Sequence, residues 1–154
     1  MRILKSAGFM LAALALICFA ATRPASAQTT YVYTTFDVTG AANTYITGVN
    51  NVGEFVGYYN VGNGGYQGFV DDNGTVTTVN FPSSSETFVS GINDSGTLAG
   101  IYYPARGGTD GFYGTAGNLT SYTATGASGT IINGINNSGE IAGEAEALHQ
   151  RQRP

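Results

Sequence analysis

The chain has few residues that could carry redox, metal or acid–base chemistry. Its 154 residues include one cysteine, Cys18, and one histidine, His149. Cys18 lies in an apolar N-terminal segment that we predict to be removed, which excludes disulfides and cysteine-based zinc or redox sites from the mature protein. A single histidine in a divergent C-terminal tail also argues against Ser-His-Asp catalysis and histidine metal sites. We therefore expect no cofactor and no bound metal.

Positive charge is scarce as well. Arg2, Lys5 and Arg23 belong to the segment predicted to be cleaved, so the mature chain keeps three arginines and no lysine against ten acidic residues, a formal charge of −7. Nucleic-acid binding draws most of its affinity from basic side chains that displace counterions. We therefore exclude nucleic acid as a partner and expect no attraction to anionic membranes.

Residues 1–27 have the pattern of a secretory signal peptide. A charged start precedes an apolar run at 7–21, and the small residues Ala25-Ser26-Ala27 form a cleavage site before Gln28. The apolar run is shorter than the roughly 20 residues that a bilayer core requires. We therefore expect a secreted bacterial protein, extracellular or periplasmic, without a stable membrane anchor, whose mature chain begins near Gln28.

From residue 31 to residue 145 the sequence repeats at a constant interval of 43 positions without an insertion. Such a period indicates a repeat architecture, in which each copy buries its apolar face only against the next copy. We divide residues 28–147 into repeats at 45–87, 88–130 and 131–147, the last one partial, with a partial strand at 31–38. The positions in register, which we expect to form turns and packing contacts, are Gly48, Gly91 and Gly134; Asn50, Asn93 and Asn136; Gly53, Gly96 and Gly139; and Gly57, Gly100 and Gly143.

Each full repeat has the composition of four antiparallel strands. The segment 45–50 is rich in β-branched and aromatic residues, and it runs into Asn50-Asn51-Val52-Gly53, a typical hairpin turn with an asparagine that caps it and a glycine that accepts positive φ. The second strand, at 54–59, contains Gly57. Because a glycine weakens a strand, we interpret Gly57 and its equivalents as places where a neighbouring sheet packs against the backbone.

Four strands in about 43 residues are typical of a propeller blade. The segment 33–38 matches the fourth strand at 76–81, so we predict eleven strands and an all-β, antiparallel, propeller-like fold of about two and a half units. Propellers typically have four to eight blades. The alternatives are an open β-sandwich or curved β stack, a ring completed by several chains, or a shortened relative of a longer repeat protein. We expect residues 148–154, whose sequence does not match the repeat, to be disordered.

The text Gly-Ile-Asn-Asp-Ser-Gly-Thr-Leu-Ala-Gly-Ile-Tyr at 91–102, followed by Asp110-Gly111-Phe112, resembles the extracellular HAF-type repeat proteins of bacteria. The resemblance covers all three copies. The chain departs from the His-Ala-Phe text that names these repeats, because it has Gln67-Gly68-Phe69 and Asp110-Gly111-Phe112 at those positions. The resemblance implies secretion and a β-repeat fold, and it implies no catalytic residue.

Carboxylates are the remaining candidates for acid–base chemistry, as paired in glycoside hydrolases. The segment Asp71-Asp72-Asn73-Gly74 also has the oxygen-rich composition of a calcium loop, although it lacks the ligand spacing of an EF-hand. Acidic residues in turns are more often turn formers, so we assign none of them a catalytic or metal-binding role. The acidic residues weighed in this way are Asp37, Asp71, Asp72, Glu86, Asp94 and Asp110.

The tyrosine pairs Tyr58-Tyr59 and Tyr102-Tyr103 are the candidate binding residues. Exposed aromatic rings can stack on sugars or contact a partner protein. Neighbours on a strand face opposite sides, however, and the alternative is that one tyrosine of each pair fills the core while the other flanks it. We predict a secreted, non-enzymatic β-repeat module that binds a protein or a polysaccharide through loops at one end of its sheets and can associate with itself through open sheet edges. A secreted glycan hydrolase and a truncated repeat protein without a function of its own are the alternatives.

Overall fold

The computed structural model describes residues 31–60, 62 and 64–147, which form ten strands and no helix. The strands make two four-stranded sheets and one two-stranded sheet, all antiparallel, and none of the three closes into a barrel. The predicted signal peptide and the predicted tail at 148–154 lie outside the described residues. The strands are β1 Asn43–Val49, β2 Phe55–Asn60, β3 Tyr66–Asp72, β4 Thr75–Val79, β5 Ser84–Ile92, β6 Leu98–Pro104, β7 Asp110–Thr115, β8 Asn118–Tyr122, β9 Ala127–Ile135 and β10 Ile141–Ala147.

The three sheets follow the 43-residue period. Unit one has the strand order β1-β2-β3-β4 and unit two has β5-β6-β7-β8, and the described part of unit three consists of β9 and β10. Consecutive strands are therefore hairpin neighbours throughout each unit. This arrangement confirms the prediction of an all-β fold made of four-stranded units, in the form of an incomplete propeller-like or open stack.

Local hydrogen bonds explain why each unit begins with a tight hairpin. The side-chain Oδ1 of Asn50 accepts the backbone N–H groups of Val52 and Glu54, at 3.2 and 2.9 Å. The backbone N–H of Gly53 donates to the carbonyl of Asn50, and Gly53 has a φ of 93°. These are the bonds of a type I turn followed by a bulged glycine, as predicted. The same pattern recurs at Asn93 and at Asn136.

The first strands of successive units approach each other closely at glycines. A Cβ on Gly48 would lie 3.2 Å from the Cα of Gly91, and a Cβ on Gly91 would lie 3.4 Å from the Cα of Gly134. The first distance is shorter than an ordinary carbon–carbon contact and the second is at its lower limit, because the optimum is about 3.5–4.0 Å. Glycine at this repeat position therefore permits β1, β5 and β9 to lie side by side.

The prediction for Gly57 and its equivalents is correct in one respect and wrong in another. Gly57 and Gly100 occupy equivalent environments, since a Cβ on either one would lie 2.9 Å from Cε1 of the phenylalanine on the third strand, Phe69 or Phe112. The crowding comes from the same sheet and not from a neighbouring one. A β-bulge in the first strand pushes a backbone carbonyl toward the glycine, and the phenylalanine belongs to the adjacent strand.

Between units, an aliphatic side chain packs over a glycine of the preceding third strand. A Cβ on Gly68 would lie 2.7 Å from Cγ2 of Val89, and a Cβ on Gly111 would lie 2.6 Å from Cδ1 of Ile132. Val89 and Ile132 are fully buried. Burial of a side chain of this size contributes about 1.5–3 kcal/mol, so these contacts hold neighbouring sheets together.

The predicted eleventh strand is wrong, because residues 31–38 form no strand. A fourth strand requires a third strand beside it, and the described residues before 43 supply none. The segment nevertheless keeps part of its role in the repeat. The N–H of Val38 donates to Oγ1 of Thr44, just as the N–H of Phe81 donates to Oγ1 of Thr87. Val38 is also buried against Tyr59 and Phe69.

Candidate functional site at the open edge of unit three

The structure places two of the four candidate tyrosines in the core. Tyr59 is 7% exposed and Tyr102 is 6% exposed. The hydroxyl of Tyr59 bonds to Gln67 and Thr78, each at 2.9 Å, and the hydroxyl of Tyr102 bonds to Asp110 and Ser121, at 3.3 and 2.8 Å. Little of either ring is accessible to a ligand, so the burial of Tyr59 and Tyr102 does not favour their predicted binding role, which stays a prediction.

Tyr58 and Tyr103 lie on the opposite side of their strands, in an aromatic cluster between units one and two. Tyr58 stacks on Tyr45 with ring centroids 4.9 Å apart, and its edge meets Phe88 at 4.8 Å. Tyr103 contacts Phe88 from the other side, at 5.7 Å. Both tyrosines are half-buried. Their neighbours occupy much of the ring surface, so packing between units is their main role.

The acidic residues serve structural roles where their partners are defined. Asp110 is buried, forms an ion pair with Arg106 and accepts a bond from Thr123 Oγ1 at 3.2 Å. Asp71 is also buried, and its Oδ1 accepts the N–H of Gly74 at 2.9 Å, which closes the β3–β4 turn. Asp37 and Asp72 are exposed. Within residues 31–60, 62 and 64–147, no three histidine, cysteine or acidic side chains cluster as metal ligands would.

Asp94 joins the first turns of the three units. Its carboxylate accepts the backbone N–H and the side-chain amide of Asn51 at 2.8 and 2.9 Å, and it accepts the amide of Asn137 at 2.7 Å. These hydrogen bonds, led by that from the Asn51 side chain, lower the pKa of Asp94 below its usual value of 3.8. The residues lie 43 positions apart, so this network connects equivalent positions of neighbouring units.

A polar cleft of about 320 Å³ lies beside the β4–β5 connection. Tyr66, Asn80, Ser84 and Glu86 are among its lining residues. Glu86 is the only carboxylate among the described residues that line the cleft. Paired-carboxylate hydrolysis requires a second one across the bond, so this cleft does not have the arrangement of a glycosidase.

The most distinctive surface lies at unit three. An apolar groove of about 190 Å³ separates the end of unit two from β10. We call it the β10 groove and define it by Tyr122, Ala124, Ile141, Gly143 and Ala145. One edge of β10 pairs with β9, and within the described residues no strand pairs with its other edge.

Comparison with unit two explains why the groove is open. There, Phe81 stacks on Tyr102 with ring centroids 3.7 Å apart, and Phe112 of the third strand lies against Gly100. In unit three the positions of Phe81 and Tyr102 are occupied by Ala124 and Ala145.

Gly143 is equivalent to Gly100, but the atoms nearest to a Cβ on Gly143 are backbone atoms of Ile131 and Ile132, whereas those nearest to a Cβ on Gly100 include the ring of Phe112. The groove is therefore the site that three aromatic rings and a third strand fill in unit two.

The β10 groove has few side chains that could catalyse a reaction, and its strand edge is suited to an extended peptide. Most of its lining side chains are aliphatic, and Glu144 is the only carboxylate among the described residues that line it. Unpaired N–H and C=O groups along a strand edge are a template for another strand. This site was not among the sequence predictions, although the 43-residue period places Ala124 at the position of Phe81 and Ala145 at that of Tyr102.

Comparison of the chain with protein-family models, with curated proteins and with solved structures found no match. The resemblance to HAF-type repeat proteins therefore remains a prediction. Among the described residues there is no helix with the length and apolar character needed to span a bilayer.

Proposed function

We propose that this chain is a secreted, non-enzymatic β-repeat module that binds a protein partner by taking up an extended segment of it in the β10 groove. The observation that carries the proposal is the edge of β10 that pairs with no described strand and lies beside an apolar groove, which matches a filled site in unit two. Main-chain hydrogen bonds to a sheet edge supply affinity in this mode of recognition, and side-chain pockets supply specificity.

Unit two indicates what the bound segment should look like. β7 runs antiparallel to β6, and Phe112 stands opposite Gly100 in the register. A segment added to β10 in the same way would present an aromatic residue opposite Gly143. Because Ala124 and Ala145 leave room beside that position, a large ring is favoured over a small side chain.

A protein partner is preferred to a polysaccharide for a physical reason. Sugar recognition by stacking relies on exposed aromatic faces, and among the described residues Tyr122 is the only aromatic side chain that lines the β10 groove. Most of the other lining side chains are aliphatic, and together with the backbone groups of the strand edge they suit a peptide. Glu144 is the only carboxylate among the described lining residues, so the groove does not support the alternative of a paired-carboxylate hydrolase.

The experiment uses a fluorescently labelled peptide with the sequence of residues 109–116, which contains β7, and measures its binding to the mature chain by fluorescence anisotropy. A second peptide in which Phe112 is replaced by serine is the matched ligand control. We expect the phenylalanine peptide to bind at least about tenfold more tightly, since loss of a buried ring costs more than about 1.4 kcal/mol. Equal affinities, or no binding by either peptide, would contradict the proposal.

Two protein variants locate the binding site. Ala145 lines the groove, whereas Asn133 is exposed on the neighbouring strand β9 and does not line it. Ala145→Lys places a charge in the groove and should abolish peptide binding. Asn133→Lys adds the same charge outside the groove and should leave peptide binding unchanged. If both variants lose binding equally, the peptide does not bind in the groove.

A further inference from the structure

Two exposed surfaces of the chain correspond to the two halves of its internal interface. The head face lies on β1 and is defined by Ile46, Gly48 and Val49. The tail face lies on β9 and β10 and is defined by Gly134 and Ala142. Equivalent residues pack against each other where unit one meets unit two, and where unit two meets unit three.

The head face is apolar and exposed. Ile46 is 54% exposed, whereas its equivalents Val89 and Ile132 are fully buried against the preceding unit. Val49 is 69% exposed, whereas its equivalent Ile92 is 7% exposed. β1 therefore exposes side chains whose equivalents on β5 are buried.

The tail face is the matching acceptor. A Cβ on Gly134 would have no atom within 4 Å, whereas one on Gly48 would contact the first strand of the next unit. Ala142 is exposed, although its equivalents Val56 and Ala99 are completely buried. β9 and β10 thus expose a surface equivalent to the one on β1 and β2 that packs against β5.

Hydrogen-bonding groups at the two faces are complementary too. The side-chain amide of Asn50 donates to the backbone carbonyl of Asn93 at 3.1 Å, and Asn93 donates to Asn136 at 3.2 Å. In the part of the chain that the structure describes, the amide of Asn136 donates only to Glu140. The carbonyl of Asn50 on a second molecule would extend this series of bonds by one step.

We propose that the head face of one copy packs on the tail face of a second copy, so that the chain associates with itself head to tail. The contact repeats an interface that the molecule already contains twice. A head-to-tail contact joins two different surfaces and generates a closed ring or an open filament. The tail face has no equivalent of Gly68 or Gly111, because its third strand is absent from the described residues, so we expect a weaker junction than the internal ones.

Charge provides an independent expectation. The mature chain carries a formal charge of −7, and like-charged copies repel each other at low ionic strength. Salt screens this repulsion. Association should therefore strengthen with added salt, whereas a contact dominated by ion pairs would weaken.

The experiment measures the molar mass of the mature chain over a concentration series, by analytical ultracentrifugation. We expect mass to rise with concentration for the wild type. Ile46→Lys on the head face and Gly134→Lys on the tail face should each remain monomeric. Val76→Lys, on the fourth strand of unit one, is the matched surface control and should associate like the wild type. Far-UV circular dichroism verifies that every variant keeps its strands.

Mixing the two monomeric variants gives the decisive result. Each variant retains one intact face, so a mixture of Ile46→Lys with Gly134→Lys should form a dimer of one copy of each and nothing larger. A wild type that stays monomeric at its highest soluble concentration would overturn the proposal. So would a mixture that stays monomeric, because the association would then use two identical faces. The proposal is independent of peptide binding, since Ala145→Lys should still associate.

Discussion

Adding one methyl group at equivalent glycines of the first strands should change stability in opposite directions. A Cβ on Gly48 would lie 3.2 Å from the Cα of Gly91 and 3.3 Å from Cγ2 of Val56. A backbone atom cannot move aside without displacing β5. We expect Gly48→Ala to destabilise the fold, because overpacking of this kind costs about 1–3 kcal/mol.

The same substitution at Gly134 meets no atom within 4 Å. The φ of Gly134 is not positive, so alanine can adopt the same backbone conformation without strain. Alanine restricts the unfolded chain, and this effect stabilises proteins by about 0.4–1 kcal/mol. Gly134→Ala should therefore be neutral or stabilising, although it stands at the same position of the repeat.

Urea unfolding followed by circular dichroism measures both free energies of unfolding. The measurement is made at low protein concentration, so that self-association at the tail face does not add to the apparent stability. Because both variants exchange glycine for alanine in an equivalent strand, their difference reports packing against the next unit. Equal effects of the two substitutions would refute the idea that successive first strands lie in contact.

Three further predictions follow from the same geometry. Replacing Ala124 by phenylalanine and Ala145 by tyrosine should rebuild the stacked ring pair of unit two and so raise the free energy of unfolding. The stacked pair should add about 0.5–1.5 kcal/mol beyond the gain from the buried area. A urea midpoint at or below that of the wild type would contradict this. Tyr102→Phe removes a hydroxyl that bonds to Asp110 and Ser121 and should cost about 0.5–1.5 kcal/mol, whereas the exposed Tyr113→Phe should change the midpoint little. Hydrogen bonds lower the pKa of Asp94 in the folded state. The stability that the Asp94 carboxylate contributes is therefore present above pH 3.8 and is lost as pH falls through the lowered pKa. Asp94→Asn should reduce the loss of stability on acidification, and an unchanged pH profile of the free energy of unfolding would argue against the hydrogen bonds to Asp94.

Features that depend on neighbours in sequence were predictable. The Asn50-x-x-Gly53 turn forms its own hydrogen bonds within five residues, so its conformation follows from local chemistry. The 43-residue period predicted equivalent units because equal sequences at equal spacing favour equal contacts. Strand alternation correctly indicated that one tyrosine of each pair would be buried, without indicating which one.

Features that depend on distant neighbours required the folded chain. The glycine at 57 could be recognised as a point of close approach, but only the bulge in β1 and the position of Phe69 showed that the crowding lies within one sheet. The segment 33–38 has the composition of a strand and forms none, and no third strand lies beside it among the residues that the structure describes.

The amino-acid sequence by itself determined the hairpin turns, the alternation within strands and the spacing of the units, since each is decided by bonds a few residues apart. The tertiary structure alone decided which strand edge and which faces stay uncovered. Exposure is a property of what packs against a surface. For the β10 groove and for the head and tail faces, those partners come from segments 43 residues away, or from another molecule.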